Sequence, residues 1–456
     1  MPVSRIALVL AVTMLAACSG GGGIVPPATS NPGLSTPASD SSPLRSRDST
    51  SATPYPISAL PFPETAAPFP ISALPFAGAP PVAQTPACAP NTFYPSGIAI
   101  CKAQINLATT INSNAHASPL TIAGVQPWLL HWIYGLPTSG GSGQTVGIVV
   151  AFDNPHAESD LAIYRQTFGL PACTTANGCF KKIQWKGPAL PKADAGWSVE
   201  SSLDLDAVSA TCAACNIVLV EAGTNLIPDL ADAVDTAILH GATVVSNSYG
   251  VAEASDNVRY APHYVHAGVP ITAAAGDVGY GVQFPASVPS VTAVGGTSVQ
   301  LLSNKGFSFQ EVVWPLTGAG CSAFFPKPSW QKDTGCRTRT VNDIAMIADP
   351  ADGLAVYDST FPGTLQGGWS VIGGTSLGAP LVASLFALAA KPGTLQGNAT
   401  IYAAGAAQTS HSNPMLRKVT AGNDGTCSVA YLCQGVTGYN GPSGNGVPWG
   451  IGAVAP

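Results

Sequence analysis

The stretch Thr145-Val-Gly-Ile-Val-Val-Ala151 is apolar without alternation. A strand of this kind needs cover on both faces, as in a buried parallel sheet. A Gly-Gly-Ser-Gly turn at 140–143 leads into it, and a short helix is expected at about Gln126–Tyr134. Beyond it, helix-like and strand-like segments take turns. Asp160–Phe168 and Glu200–Ser209 read as helices, Ile217–Glu221 as a strand and Leu230–His240 as a helix. Thr243–Ser248 and Pro270–Ala275 read as strands, and Ser376–Ala390 as an apolar helix. The alternation predicts an α/β fold, a parallel sheet flanked by helices on both faces. Such sheets collect functional groups at the carboxyl ends of their strands.

Only 9% of the 456 residues are charged, with a net charge of −6, against roughly a quarter in ordinary soluble domains. No basic face is available for a nucleic acid, so none is expected as a partner. At the N-terminus, Arg5 precedes the apolar run Ile6–Leu15, too short for the ~20 residues of a spanning helix. Residues 1–17 therefore read as a signal peptide. The following Leu15-Ala16-Ala17-Cys18 resembles a bacterial lipobox, which makes Cys18 the expected lipidated residue. Residues 18–87 are rich in Pro, Ser and Gly, and Pro-Ile-Ser-Ala-Leu-Pro-Phe occurs at both 56–62 and 70–76. This composition reads as a disordered tether. The other ten cysteines form five couples close in sequence, as disulfides of exported proteins do. The Cys212-Ala-Ala-Cys215 pair is also a redox or zinc half-site by spacing, but no second couple lies at zinc spacing.

Three constellations carry chemistry. Gly373-Gly-Thr-Ser376-Leu-Gly-Ala-Pro380 opens an apolar helix, so Ser376 falls in the first turn, where free N–H groups and the helix dipole favour a developing oxyanion. A simple helix cap is the plainer alternative. Glu200 and Asp204, four apart, share a helical face, and two carboxylates that close do not both ionise readily. Asp206 lies round the helix from them. The third is Ile271-Thr-Ala-Ala-Ala-Gly276-Asp277, a small-residue strand ending in an aspartate; a turn aspartate bonding its own backbone is the alternative.

Together these residues resemble the sedolisins, serine-carboxyl peptidases with a subtilisin-like fold. The likeness runs from about Leu120 to Gly446. It takes in Ser246-Asn-Ser-Tyr-Gly250, Phe284-Pro-Ala-Ser287, Val294-Gly-Gly-Thr297, Pro328-Ser-Trp-Gln331, Asn342-Asp343 and Ala348-Asp349-Pro350. The resemblance implies Ser376 as nucleophile, Glu200 as base, Asp204 as its support and Asp277 in the oxyanion hole. Ser246, Ser248, Tyr249 and Gly250 would bind substrate. It further implies a monomeric endopeptidase acting on polypeptides, most active in acid, because Asp277 donates a hydrogen bond only when protonated. The peptidase domain is expected over 136–456, preceded at 88–135 by a short segment in place of a large propeptide. The location is the cell envelope, with lipid as the membrane contact, or the exterior.

Several positions depart from the family pattern. Gly373 replaces a serine, Tyr249 a tryptophan, and an outer carboxylate aligns with about Ala151, with Asp153 nearby. The family's calcium site aligns with Lys418 and Asn440, and an ammonium is no calcium ligand. No cofactor is therefore expected, Lys418 taking the place of the metal. Two rivals remain: a subtilisin-type Asp-His-Ser peptidase, for which no histidine (116, 131, 156, 240, 263, 266, 411) has the His-Gly-Thr-His setting, and an inactive surface-anchored binding lipoprotein of the same fold.

Overall fold

A computed structural model describes residues 83–88, 97–109, 111–185, 191–301, 309–361, 367–389, 397–407 and 415–455. The signal peptide, Cys18, the repeated heptapeptide and most of the tether lie outside the described residues. The N-terminal part carries β1 (Gln84–Pro86), β2 (Ile100–Cys101), β3 (Gln104–Asn106) and α1 (Pro127–Tyr134). The alternating region follows with β4 (Thr145–Ala151), α2 (Ala157–Thr167), β5 (Phe180–Gln184), α3 (Ala195–Thr211), β6 (Asn216–Ala222) and α4 (Ile227–Leu239). Then come β7 (Val244–Asn247), β8 (Tyr249–Ala252), α5 (Ser255–Val258), β9 (Ile271–Ala274), β10 (Gln283–Phe284), β11 (Val291–Leu301) and β12 (Phe309–Val313). The chain continues through β13 (Gly320–Pro326), β14 (Thr338–Val341), β15 (Ile344–Ile347), β16 (Leu354–Asp358), β17 (Gly368–Gly373), α6 (Thr375–Ala389) and α7 (Asn398–Ala407).

The central sheet has the order β12-β11-β9-β7-β4-β6-β5, with β15 also on β11. Its pairs are parallel except for β11–β12. The apolar run Thr145–Ala151 is β4, which sits between β6 and β7 in mid-sheet and is buried from Val146 to Ala151. Strand order reverses beside β4, since β5 and β6 lie on one side of it and β7, β9 and β11 on the other. Helices α3 and α6 pack on each other, and α6 crosses β7 and β9, while α4 packs on β4 and β6. The crevice at this switch point is where parallel sheets present side chains.

The last residues of the expected tether, Gln84–Pro86, form a strand instead, pairing antiparallel with Gln104–Asn106. Proline composition argued against a strand here. An edge position with few N–H groups to satisfy tolerates it. The described part of the segment 88–135 is built into the body: β2 pairs with β8 and β3 with β17. All ten described cysteines are bridged: Cys88–Cys101, Cys173–Cys179, Cys212–Cys215, Cys321–Cys336 and Cys427–Cys433. The Cys212–Cys215 pair is thus a disulfide rather than a zinc half-site.

Candidate active site

Helix α3 begins at Asp194, whose carboxylate accepts the Trp197 N–H at 3.0 Å and satisfies one of the helix's free donors. One and two turns further on, Glu200 and Asp204 stand on the same face, both 0% exposed. Asp206 is about 200° round the helix from Asp204 and accepts the Tyr357 N–H at 3.0 Å instead.

Ser376 is the second residue of α6. Its Oγ lies 2.8 Å from Glu200 Oε2, to which it donates, and 3.1 Å from the carbonyl oxygen of Ser248. Ser248 Oγ in turn is 2.6 Å from Asp204 Oδ1 and 3.3 Å from the Ser376 carbonyl. That carbonyl is free for a side chain because Pro380, four residues on, has no N–H to give it. A hydroxyl carries one proton, so when Ser248 donates to Ser376 the short contact to Asp204 is made by a protonated carboxyl. One oxygen of each acid, Glu200 Oε1 and Asp204 Oδ2, lacks a hydrogen-bond partner. Burial, and then the neighbouring Asp204, hold Glu200 well above the usual carboxylate range. Burial does the same to Asp204. A proton held by the pair suits two dry acids that cannot both be charged.

Asp277 follows β9 through a turn at Gly276, whose φ of 120° excludes most other residues. Its Oδ1 accepts from Thr375 N at 2.9 Å and Thr375 Oγ1 at 2.7 Å. Thr375 Oγ1 also accepts the Gly276 N–H at 3.1 Å, so the turn and the start of α6 are tied together. Asp277 Oδ2 accepts from Gln104 Nε2 at 3.1 Å. Burial raises the Asp277 pKa, opposed by the Thr375 N–H and by the Lys102 ammonium. Glu200, Asp204, Asp277 and Ser376, far apart in sequence, thus converge around the N-terminus of α6. Among the described residues no imidazole bonds Ser376, and His263 and His266 are engaged with Asp235.

Ser248 and Gly250 border this cluster, and Gly250 pairs with Ile100 through its backbone. Tyr249 turns its ring inward, its hydroxyl 2.8 Å from Asn247 Oδ1 and 3.1 Å from the Tyr264 hydroxyl. Ser246 is buried within β7, its Oγ without a partner. Asp153 forms an ion pair with Lys182 at 2.6 Å, and Lys182 also reaches Glu221 at 3.2 Å. At the expected calcium position, Lys418 Nζ donates to the Asn445 carbonyl at 2.9 Å. Asn440 Nδ2 donates to the carbonyls of Val419 and Val436, both at 3.1 Å. These donors occupy oxygens that a hard cation would need, so the residues do not fit calcium. Sequence reasoning missed Lys102 and Gln104. No motif marks them, because they reach the site only through the strand pairing of the N-terminal segment.

The profile of the subtilase family matches residues 207–413. Kumamolisin from Bacillus sp. (strain MN-32) is 30% identical over 352 residues, 68% of this chain and 59% of that protein. Pseudomonas sedolisin, a serine-carboxyl proteinase solved in complex with two molecules of pseudo-iodotyrostatin, superposes with a TM-score of 0.62 at 25% identity, covering 72% of this chain and 96% of that one. The chain belongs to the sedolisin family. Xanthomonalisin from Xanthomonas sp. (strain T-22) is 32% identical over 190 residues, 37% of this chain and 21% of that protein. The chain thus spans about three fifths of kumamolisin's length and less of xanthomonalisin's. The sedolisin membership agrees with the subtilisin-like parallel sheet, and the five disulfides point to an oxidising, extracytoplasmic setting.

Proposed function

We propose that the protein is a serine-carboxyl endopeptidase that hydrolyses polypeptides in acid. The observation that carries this reading is the 2.8 Å hydrogen bond from Ser376 Oγ to a fully buried Glu200. Glu200 takes the Ser376 proton as Oγ attacks a peptide carbonyl, and later passes it to the departing amine. Asp204 supports Glu200 by holding the proton the two acids do not both release. The Ser376 N–H and protonated Asp277 steady the oxyanion. An ionised Asp277 would repel it, so activity belongs to the pH range where the buried acid stays neutral. Ser248 and Gly250 offer backbone pairing to an extended substrate. Lipidation at Cys18 and a monomeric, calcium-independent enzyme complete the proposal.

The test is hydrolysis of an internally quenched peptide at about pH 4. Ser376→Ala and Glu200→Gln are each expected to reduce kcat by about 1000-fold or more, because each breaks a unit whose parts act together. Retained activity in Glu200→Gln would remove the carboxylate mechanism. A profile that peaks at or above neutrality would remove the role of Asp277.

A further inference from the structure

The turn that follows β4 contains Phe152, and among the described residues it is the only non-glycine with a positive φ, 63°. A bulky residue stays in that region only where its surroundings hold it, and such residues gather at functional sites. The turn lies at the carboxyl end of a mid-sheet strand and grips the start of α3. The Asp153 N–H donates to the carbonyl of Lys192 at 3.2 Å, just before the Asp194 cap. The Phe152 ring meets the Trp197 ring edge-on, with centroids 6.3 Å apart. Asn154 Nδ2 donates to the Ser198 carbonyl at 3.2 Å and to Ser202 Oγ at 3.3 Å. Ser202 hands the bond on, donating to Asp358 Oδ2 at 2.7 Å.

Asn154 is buried and held at each of its polar groups. Its N–H donates to Glu221 Oε1 at 2.8 Å, and its carbonyl accepts from Lys182 Nζ at 2.6 Å. Its Oδ1 accepts the His156 N–H at 3.0 Å, which fixes the other end of the amide as the nitrogen that faces α3. Lys182 also pairs with Asp153 and Glu221, so the three charged side chains brace the Asn154 backbone. Ser198 and Ser202 stand two residues either side of Glu200, about 200° round the helix from it. Glu200 thus points at Ser376 while the opposite face of the same turns rests on Asn154.

We propose that Asn154 is a positioning residue for the reaction, setting through α3 the 2.8 Å approach of Glu200 to Ser376 Oγ. The inference rests on the peptidase reading. Asn154 touches neither acid nor the serine; it fixes the rotation and height of the helix that carries Glu200 and Asp204. Proton transfer from Oγ needs a short, aligned contact, and a displacement of about 1 Å costs on the order of 100-fold in rate. The strained turn at Phe152 brings the amide to the helix, and Lys182, Asp153 and Glu221 keep it aimed.

The experiment measures kcat and KM of the full chain on a quenched peptide from about pH 3 to about pH 7. Asn154→Ala is expected to lower kcat about 10- to 100-fold at every pH, with KM within about twofold of wild type. Asn154→Asp keeps the shape and the His156 bond, but donates to α3 only while its carboxyl is protonated. The charged groups around that position are Lys182 of β5, Glu221 of β6, Asp153 of the turn and, beyond Ser202, Asp358 of β16. Asn154→Asp is expected to match wild type at about pH 3 and to fall progressively behind it as pH rises. A contact that served stability alone would not give that profile. Denaturant unfolding confirms that each variant is folded, and if Asn154→Ala does not fold, the profile of Asn154→Asp decides. Unchanged kcat in folded Asn154→Ala would overturn the inference, as would a rise in KM at constant kcat. Parallel pH profiles for wild type and Asn154→Asp would overturn the role of the amide hydrogen bonds. If wild type hydrolyses the peptide at no pH, the peptidase reading itself falls.

Discussion

At the residue scale, the candidate site depends on who holds each proton. Asp277→Ala deletes the side-chain donor to the oxyanion and is expected to cost about 100- to 1000-fold in kcat, with little change in KM. Thr375→Val keeps shape but removes the 2.7 Å bond to Asp277 and strands the Gly276 N–H. It is expected to lower kcat about tenfold and stability by about 1–3 kcal/mol, read by steady-state kinetics and by denaturant unfolding. Unchanged kinetics in Thr375→Val would mean that Asp277 needs no clamp. Ser376, Glu200, Asp204 and Asp277 stood out in the sequence as local features, a serine opening a helix, acids one turn apart and an aspartate closing a strand, but only the resemblance to the sedolisins tied them into one candidate site. Ser248 was legible only as a backbone element, because its hydroxyl meets Asp204 across 44 residues of sequence. Lys102 and Gln104 were invisible for the same reason, their partners being 146 residues or more away.

At the element scale, periodicity located β4, α3, α4 and α6 but mislaid their ends. Helix α3 runs from Ala195 to Thr211 rather than from Glu200 to Ser209, because its start is fixed by the Asp194 cap and not by apolar spacing. Strand β1 was lost to composition, since its only signal is a partner, β3, twenty residues on. The C-terminal loops give an element-scale test. Lys418 and Asn440 donate to carbonyls there, so a chelator is expected to leave the melting temperature unchanged. Lys418→Met is expected to lower it, by stranding the Asn445 carbonyl. Chelator sensitivity in calorimetry would instead restore a metal to this place.

Across the whole molecule, the scarcity of charge conceals an unusual placement of what charge there is. Burial raises Asp358 to about 7 despite its bond from Ser202. It raises Glu221 to about 8, outweighing Lys182, and Asp424 to about 8. In the unfolded chain such carboxyls titrate near 4. Between that value and their native ones, the folded protein binds more protons than the unfolded chain. Their contribution is therefore present below about pH 4 and is lost as pH rises through 7 to 8. The melting temperature is expected to be higher at pH 5 than at pH 8, and Glu221→Gln should flatten that slope; a fold that weakens steadily toward acid would show these acids ionised. The parallel sheet itself was legible, because an apolar run without alternation admits few other architectures, whereas the pairing of β2 with β8 and of β3 with β17, outside that sheet, was not. The order of the disulfides has a consequence of its own. Each bridge closes with the next cysteine along the chain, across at most 15 residues. With the Cys18 thiol taken up by the proposed lipid, a polypeptide emerging N-terminus first meets every correct thiol before a wrong one is available, and an oxidant alone completes the set with nothing to reshuffle.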